Sequence, residues 1–334
     1  MTNITDLIEN TFPKKKVVIV GDLVADQFLK GTIARVSREA PVFILRHDDT
    51  ATVPGGGANS AVNVASLGGT PILIGLTGTD PSGTRLLEEL RSAGVDCGSI
   101  VTDSRLTTTT KVRVLAGQHY ARRQQVIRID YENSAEISSE IRQNLTANLL
   151  ESGETADAII ISDYNYGVAD PELAETARQI ASARGVPLVI DSRFRLSDFH
   201  GATSATPNQD EVEHILGKNF TQDDCEGLRE RLQLEALLVT CGNKGMLLVE
   251  KGKAPKQISA VGPSEPVDVT GAGDTVIAVY ALGLASGLDF STAAELANHA
   301  GGLVVMKKGT AFVSTGELLR SISEGGEFAD AGHR

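Results

Sequence analysis

Short apolar runs alternate along this chain with segments of helical periodicity, and no other feature constrains the fold as strongly. The runs are residues 17–20, 72–75, 158–162, 188–191 and 237–240. The helical segments lie near residues 58–67, 82–93, 139–150, 171–184, 223–231, 274–286 and 292–306. Strands that alternate with helices form βαβ units and a mostly parallel sheet covered on both faces. The sequence therefore predicts an α/β protein that binds ligands at the carboxyl ends of its strands.

Two regions depart from this alternation. Residues 28–45 and 107–130 have the alternating pattern of extended segments, with no helix between neighbours. We expect them to form a small antiparallel β-sheet flap on the main sheet. Because proteins usually cover exposed sheet edges, we also expect the flap to act as a lid and as a dimer contact.

The charge balance excludes several classes of partner. Of 334 residues, 31 are lysine or arginine and 43 are acidic, so the net charge is −12. Such a protein is unsuited to general binding of nucleic acid or anionic membranes. Residues 1–16 have no apolar core typical of a signal peptide, and no apolar run approaches bilayer length. Cys97, Cys225 and Cys241 lack Cys-x-x-Cys spacing, which fits a reducing cytoplasm rather than disulfides or zinc.

Residues 267–280 have the pattern of an anion site. They begin with strand-like alternation, and residues 275–284 have the apolar density of a buried helix. Between them lie Gly271, Ala272 and Gly273, whose glycines let the backbone turn tightly and expose bare amides. A helix that begins here directs its free N–H groups and its positive dipole end at the same point. Phosphate is the usual ligand of such a site.

Asp274 follows this turn directly. An aspartate beside an anion site repels the ligand, so it is better suited to taking a proton from a hydroxyl that attacks phosphorus. The alternative is that Asp274 only caps the helix. Both interpretations remain open on the sequence alone.

Several polar residues near strand ends are candidates for sugar binding. Asp22 and Asp26 follow the first strand and suit sugar hydroxyls, or ordinary turn and cap chemistry. The glycine triplet at 55–57 permits close approach of the backbone to a polyhydroxy ligand. Asn59 and Asn63 lie one helical turn apart and are expected to serve the same edge of the site.

The segment 104–129 contains no acidic residue, which is unusual in so acidic a chain. Its cations are Arg105, Lys111, Arg113, Arg122, Arg123 and Arg128. Some of these side chains must simply solvate an edge strand. Arginine forks also suit a phosphate already present on the substrate, and Lys111, Arg113 and Arg128 are the candidates for this contact.

Polar residues also follow the later strands. Asp163 and Arg193 lie just beyond two apolar runs. Asn208 and Glu211 lie three residues apart at a helix start, where they suit Mg²⁺ mostly through its waters, or a helix cap. Residues 240–245 form a small-residue turn suited to passing beneath a nucleotide.

Other motifs are absent from the sequence. The P-loop pattern, Gly-x-Gly-x-x-Gly, His-Glu-x-x-His and Gly-x-Ser-x-Gly do not occur. The missing Gly-x-Gly-x-x-Gly pattern disfavours an NAD-dependent oxidoreductase. A non-catalytic sugar or nucleotide sensor remains the alternative, although it would not need Asp274.

Taken together, these residues resemble the ribokinase/PfkB family of carbohydrate kinases over roughly residues 15–322. The signatures are the segment 55–59 and Asp-Val-Thr-Gly-Ala-Gly-Asp at 268–274. Within the family the chain is most similar to the D-glycero-β-D-manno-heptose 7-phosphate kinases. The matching segments are Gly-Asp-x₃-Asp at 21–26, Ser-Arg-Glu-Ala-Pro-Val at 37–42, Thr-Lys-x-Arg at 110–113, residues 124–130 and Ser-Asp-Tyr at 162–164.

This resemblance implies a ribokinase-like three-layer α/β/α sandwich with a mostly parallel central sheet and a small β-sheet lid. It implies an N-terminal extension at 1–14, a kinase domain at 15–322 and a tail at 323–334. The implied activity is transfer of phosphate from MgATP to O1 of the heptose 7-phosphate, as in ADP-heptose and lipopolysaccharide precursor synthesis. Another sugar or sugar phosphate, such as ribose, fructose or fructose 1-phosphate, is the alternative acceptor. The lid implies a homodimer.

The resemblance also implies roles for individual residues. Asp274 is the base, and the amides of Gly271, Ala272 and Gly273 form an anion hole. Residues implied to bind ATP and Mg²⁺ are Asn208, Glu211, Arg193, Thr240, Gly242, Gly245 and Asn298. Residues implied to bind the sugar or its phosphate are Asp22, Asp26, Gly55, Gly56, Gly57, Asn59, Lys111, Arg113, Arg128 and Asp163. Asp268, Thr270 and Gly309 resemble a monovalent-cation site for K⁺.

The chain departs from the heptose kinases at three places. Tyr166 and Arg193 stand where those kinases usually have lysine, and the segment between Arg113 and Gln124 is longer. Arginine does not replace lysine isosterically. These departures leave phosphorylation of a sugar in place and bear on which sugar is used.

Overall fold

A computed structural model of the protein describes residues 4–117, 123–133, 136–263 and 265–324. Arg122 of the basic segment lies outside these residues. The strands are β1 (Lys16–Gly21), β2 (Leu23–Val36), β3 (Phe43–Gly56), β4 (Thr70–Gly78), β5 (Ile100–Asp103), β6 (Thr110–Gly117), β7 (Gln124–Tyr131), β8 (Ala158–Asp163), β9 (Leu188–Ser192), β10 (Ser204–Ala205), β11 (Ala236–Thr240), β12 (Met246–Glu250) and β13 (Lys256–Ile258). The helices are α1 (Ile4–Asp6), α2 (Gly57–Ser66), α3 (Pro81–Ser92), α4 (Ser139–Gly153), α5 (Pro171–Arg184), α6 (Gln209–Leu216), α7 (Gln222–Arg231), α8 (Ala272–Ala285), α9 (Phe290–Val304) and α10 (Thr315–Glu324).

The main sheet has nine strands within the described residues, in the order β13-β12-β11-β10-β9-β8-β1-β4-β5. The strands from β11 to β5 pair in parallel, and β12 and β13 add antiparallel pairs at one edge. Helices cover both faces, so the predicted three-layer α/β/α fold is confirmed. The carboxyl ends of β1, β8 and β9 are neighbours, which brings Asp22, Asp163 and Asp191 to one edge.

The apolar run of β1 shows why the sheet is buried on both sides. Val17 and Ile19 pack into the core with α8 and α9, whereas Val18 and Val20 pack into the core on the other face. Successive side chains of a strand point to opposite faces. A strand covered on both faces is therefore apolar at every position rather than at every second one.

Helix α5 begins and ends at its predicted residues, 171 and 184. The side chain of Asp170 accepts a hydrogen bond from the amide of Leu173, and Pro171 occupies the first turn. Gly185 ends the helix in the left-handed conformation at φ 65°. These are local stop and start signals, which is why sequence alone located them.

The lid is a four-stranded sheet in the order β3-β2-β6-β7. Its strands extend beyond the predicted limits of 28–45 and 107–130, because β2 begins at Leu23 and β3 continues to Gly56 through the exposed polar residues 46–50. The central β2–β6 pair is parallel, so the prediction of an antiparallel flap was wrong for that pair. Both strands leave the main sheet from the same edge and therefore run outward in the same direction.

The N-terminal residues contribute to the core. Leu7, Ile8 and Phe12 are buried in the cluster that includes α8, α9 and α10. The division into extension, kinase domain and tail stays a prediction. Of the helices in the described ranges, none has both the length and the apolar character needed to cross a membrane.

Candidate active site

The turn before α8 takes the form that its glycines require. Gly271 lies at φ 80°, and a Cβ there would approach Asn59 Nδ2 to 2.6 Å. The amide of Ala272 donates to the carbonyl of Val269 at 3.2 Å. The amides of Gly271 and Gly273 donate to no other described residue. The anion hole predicted from three amides therefore has two of them available, at the positive end of α8.

Asp274 does not cap α8. The N-cap position of this helix is Gly271, and no side chain accepts a capping hydrogen bond there. Its carboxylate instead accepts hydrogen bonds from Asn59 Nδ2 and from the hydroxyl of Tyr164, each at 2.9 Å. The side chain is buried, with 2% of the residue exposed. Burial raises the pKa of Asp274 to about 7, although both hydrogen bonds oppose this rise. A carboxyl group with this pKa suits proton transfer near neutral pH.

Asn59 is held by its neighbour in α2. The Nδ2 of Asn63 donates to the carbonyl and to Oδ1 of Asn59, at 3.0 and 3.2 Å. Asn63 Oδ1 also accepts from the amide of Val313 at 3.4 Å. Asn63 is fully buried and orients Asn59 through these hydrogen bonds. That both asparagines serve the same edge of the site stays a prediction.

Asp22 anchors the loop that carries Tyr164. Its two carboxylate oxygens accept hydrogen bonds from the amides of Tyr164, Tyr166 and Val168 at 2.8, 2.9 and 3.1 Å. Burial raises the pKa of Asp22 against the effect of these bonds. With 1% of the residue exposed, Asp22 lies beneath the site, and its contact with sugar stays a prediction.

The glycine triplet gives close approach to the protein's own side chains. A Cβ on Gly55 would lie 2.5 Å from Asp26 Oδ2. Gly56 lies at φ 61°, and a Cβ on it would lie 3.4 Å from the ring of Tyr164. Gly55 therefore leaves room for the Asp26 carboxylate, and Gly56 leaves room for the backbone carbonyl of Asp22, which would lie 2.7 Å from a Cβ there. The contact of these glycines with a ligand stays a prediction.

Asp163 forms a buried ion pair that the sequence did not reveal. Its carboxylate accepts hydrogen bonds from the guanidinium of Arg195 and from Ser192 Oγ, the latter at 2.7 Å. Its side chain is 0% exposed, whereas that of Arg195 is 25% exposed. Asp163 therefore holds the loop after β9, and its contact with substrate stays a prediction.

Asn208 and Glu211 form the capping box of α6. Asn208 Oδ1 accepts from the amide of Glu211 at 2.9 Å, and Glu211 Oε2 accepts from the amide of Asn208 at 2.8 Å. The cap interpretation thus holds for both residues. It uses one oxygen of Glu211, and the role of the other in arranging Mg²⁺ stays a prediction.

Two carboxyl groups near α6 create a local excess of negative charge. Burial raises the pKa of Asp191 well above its ordinary value, and the nearby Glu211 and Asp274 raise it further. Burial also raises the pKa of Glu211, while the charge of Arg193 opposes this. A divalent cation would offset such repulsion. No group of three potential ligand side chains is arranged to hold a metal among the described residues, so Mg²⁺ would depend on waters and phosphate oxygens.

A cavity of about 180 Å³ lies next to the turn before α8, and Ala272 and Gly273 of this turn line it. Of the seven residues predicted to bind ATP and Mg²⁺, four line it: Thr240, Gly242, Gly245 and Asn298. Other lining residues are mostly small or apolar, including Ala260, Val276 and Gly273. Since Ala272 and Gly273 line the cavity, it adjoins the turn that is predicted to bind an anion.

Asp268 joins the two segments of the predicted monovalent-cation site. Its oxygens accept hydrogen bonds from the amides of Thr270 and Gly309 at 3.0 and 2.9 Å. Burial disfavours the ionised form, but these hydrogen bonds prevail and lower the pKa of Asp268. An ionised carboxylate between these loops fits a monovalent cation.

The lid cations differ in their availability. Arg113 is paired with the buried Asp26, and Arg128 is paired with Asp130. Lys111 forms no ion pair within the described residues, and its Nζ lies 5.4 Å from the ring centres of both Tyr164 and Tyr166. Burial lowers the pKa of Lys111. Of the three predicted phosphate contacts, Lys111 is therefore the one not already engaged by a carboxylate.

Comparison with known proteins gives a consistent result. The model of the pfkB family carbohydrate kinases matches residues 14–315. The bifunctional protein HldE of Koribacter versatilis (strain Ellin345) is 38% identical over 331 residues, which cover 96% of this chain and 66% of that protein. The chain thus spans about two thirds of the length of this curated relative.

Two solved structures share the fold. The ribokinase of Arabidopsis thaliana, complexed with ribose and ATP, has a TM-score of 0.69 at 20% identity, covering 92% of this chain and 98% of that chain. Phosphofructokinase-2 from Escherichia coli, in complex with potassium, has a TM-score of 0.73 at 19% identity, covering 92% and 97%. At these identities the likeness concerns the fold alone.

Proposed function

Because the chain belongs to the pfkB family of carbohydrate kinases, we propose that it transfers the γ-phosphate of MgATP to O1 of D-glycero-β-D-manno-heptose 7-phosphate. Its activity as a carbohydrate kinase follows from the family. The choice of acceptor is supported by the segments that resemble heptose 7-phosphate kinases and by the 38% identity to HldE. The observation that carries the proposal is the position of Asp274, between Asn59, Tyr164 and the anion-binding turn.

In the proposed reaction Asp274 accepts the proton of the acceptor hydroxyl while that oxygen forms a bond to Pγ. The bond between Pγ and the β,γ-bridging oxygen breaks, and ADP leaves. The amides of Gly271 and Gly273, at the positive end of α8, stabilise the charge on the transferring phosphoryl group. Bound Mg²⁺ would neutralise phosphate charge beside Asp191 and Glu211. Asp268 would hold K⁺ behind the turn.

For the substrate's own phosphate we propose Lys111 as the principal contact. Arg113 and Arg128 remain candidates, although each would exchange its carboxylate partner for the phosphate. Arg193 is exposed, and its charge acts on Lys111, Tyr164 and Tyr166. A cation at this position supports phosphate binding near the boundary of lid and main sheet, in place of the lysine usual in heptose kinases.

We further propose that the protein is a cytoplasmic homodimer in which the lids pair. The lid exposes large apolar side chains, including Phe43 at 61%, Ile127 at 54% and Tyr131 at 52%. Exposed apolar groups concentrated on one small sheet are typical of an interaction surface.

A coupled assay of ADP release over a panel of sugars tests the proposed acceptor. Heptose 7-phosphate should give a kcat/KM at least about tenfold above unphosphorylated heptose, because one hydrogen bond to a charged partner contributes roughly that factor. Replacing Lys111 by methionine should remove most of this preference and leave the KM for ATP unchanged. Equal use of the two heptoses would contradict the proposed phosphate contact. A preference for fructose 1-phosphate or a pentose, the alternative acceptors, would replace heptose 7-phosphate as the proposed acceptor.

A further inference from the structure

The side chain of Tyr164 connects three parts of the site. Its hydroxyl donates to Asp274 Oδ1 at 2.9 Å, and its ring lies against Gly56 of the glycine triplet. On the lid side, Lys111 Nζ lies 5.4 Å from the ring centre. The base, the loop before α2 and the lid therefore meet at one residue.

The position of Tyr164 is fixed from below. Its backbone amide donates to Asp22 Oδ2 at 2.8 Å, and Asp22 also binds the amides of Tyr166 and Val168. The ring also lies in van der Waals contact with Gly56, 3.4 Å from the position that a Cβ would take there. A tyrosine held at its backbone, ring and hydroxyl has little freedom to turn away from Asp274.

The two oxygens of Asp274 have one side-chain donor each. Oδ2 accepts from Asn59 and Oδ1 accepts from Tyr164. This arrangement fixes the plane of the carboxylate and stabilises its ionised form, because both donors favour negative charge. Burial and the neighbouring Asp274 raise the pKa of the Tyr164 phenol well above its ordinary value, so the phenol stays protonated and remains a donor.

We infer that Tyr164 is a positioning residue for phosphoryl transfer, which holds the carboxylate of Asp274 in its ionised, correctly oriented form. The inference rests on the proposed function, since it takes Asp274 as the base. It extends that proposal by assigning a task to a residue outside the predicted catalytic set. In this arrangement Tyr164 does not transfer the proton itself, because its hydroxyl is directed at the base.

The Tyr164→Phe variant tests this assignment, since it removes the hydroxyl and keeps the ring beside Gly56 and Lys111. Loss of one hydrogen bond to a carboxylate should raise the apparent pKa of the acid limb of kcat/KM by about one to two units. Activity should therefore fall by about five- to fiftyfold near pH 7 and recover near pH 9, where most or about half of the carboxyl group is ionised again. The KM for ATP and the thermal midpoint, measured on the same protein, should stay close to those of the unchanged enzyme.

Tyr166→Phe is the matched control. Its hydroxyl lies 3.4 Å from Glu132 Oε1, and its ring lies at the same 5.4 Å from Lys111 Nζ as that of Tyr164. Removing the Tyr166 hydroxyl should leave the apparent pKa of the acid limb unchanged, because this hydroxyl does not contact Asp274. If the apparent pKa of the acid limb of kcat/KM does not change in Tyr164→Phe, or if activity falls equally at every pH, the positioning role is overturned.

The Asp274→Asn variant separates this inference from the proposed function. If Asp274→Asn retains the kcat of the unchanged enzyme, the base assignment fails, whatever Tyr164→Phe does. If Asp274→Asn is inactive and the limb of Tyr164→Phe does not move, the base stands and the inference about Tyr164 fails. A shifted limb together with an inactive Asp274→Asn supports both.

Discussion

The side-chain nitrogen Nδ2 of Asn59 lies 2.9 Å from Asp274 Oδ2 and 3.4 Å from the carbonyl oxygen of Gly271. One side chain of α2 thus contacts both the proposed base and the turn that precedes it, across 215 residues of sequence. Because Asn63 holds Asn59 in place, the geometry of the site depends on how α2 packs against α8. The segment 55–59 and the segment 268–274, which carry the family resemblance, are therefore parts of one hydrogen-bonded unit.

The first prediction concerns the chemistry of Asp274. General-base catalysis contributes about 10²–10⁴-fold, so Asp274→Asn should lower kcat by at least about a hundredfold. The KM for ATP should stay similar or decrease, because the carboxylate no longer repels the phosphates. Steady-state kinetics with varied ATP measure both quantities. A variant with nearly unchanged kcat would remove Asp274 from the mechanism.

The second prediction concerns stability against pH. The pKa of Asp274 is about 7 in the folded protein and about 3.9 in an unfolded chain. A raised folded pKa means that stability present below about pH 4 is lost as the pH rises through about 7. The difference corresponds to at most roughly 4 kcal/mol.

Asp274→Asn should remove this loss, since an amide cannot ionise. The variant should therefore gain stability relative to the unchanged protein between about pH 5 and about pH 8. Urea unfolding of both proteins at about pH 5 and at about pH 8 gives the free energies of unfolding that measure this change. A difference between variant and parent that does not depend on pH would contradict the raised pKa.

The third prediction concerns the ion pair of Asp163 and Arg195. Arg195→Met would leave a buried carboxylate without its charged partner, which typically costs 3–5 kcal/mol. We expect about 3 kcal/mol, because water reaches the quarter of Arg195 that is exposed. Arg178→Met is the control, since its pair with Glu175 is exposed at the surface. Equal effects of the two substitutions would refute the structural importance of the buried pair.

The fourth prediction concerns the nucleotide cavity. Ala260 lines it and is exposed, so tryptophan at this position can occupy the cavity without disturbing the core. Ala260→Trp should raise the KM for ATP by about tenfold or more. The indole would displace the adenine of ATP from the cavity, and the adenine would lose its apolar contacts with the cavity wall. The KM for the sugar should change little. Ala254→Trp, on an exposed residue outside the cavity lining, should leave both constants unchanged, and an equal effect there would disprove the location.

The fifth prediction concerns the lid. Phe43→Asp places a charge among exposed apolar side chains of the lid and should shift the protein from dimer to monomer. Mass measurement in solution at micromolar protein shows the change. Leu150→Asp provides the control, because Leu150 is 53% exposed on α4 and lies away from the lid. A strictly monomeric parent would remove the dimer proposal.

Much of the fold follows from local sequence. The strands β1 and β8 were located by runs of apolar residues, since both faces of the central sheet are covered. Helix α5 was located by Asp170, Pro171 and Gly185, which satisfy its terminal backbone groups. The exposed polar residues 46–50 obscured β3, because an exposed strand does not need the alternation that marks a half-buried one.

The candidate site was found from sequence only where its chemistry is local. The turn at Gly271 and Gly273 and the position of Asp274 after it belong to one segment, so their spacing predicts an anion site with a nearby carboxylate. Tyr164 was visible as part of Ser-Asp-Tyr after a strand, but nothing in that motif indicates where its hydroxyl points. Arg195 gave no signal, because a single arginine after a strand has no recognisable partner.

The sequence by itself thus determined the α/β class, the anion-binding turn and the residue types that follow each strand. The tertiary structure alone decided which of them meet. It paired Asp163 with Arg195 and Arg113 with Asp26, and it joined Asn59 and Tyr164 to Asp274. The physical reason is that turns, caps and periodicity depend on neighbours within a few residues, whereas these contacts depend on the order of strands in the sheet.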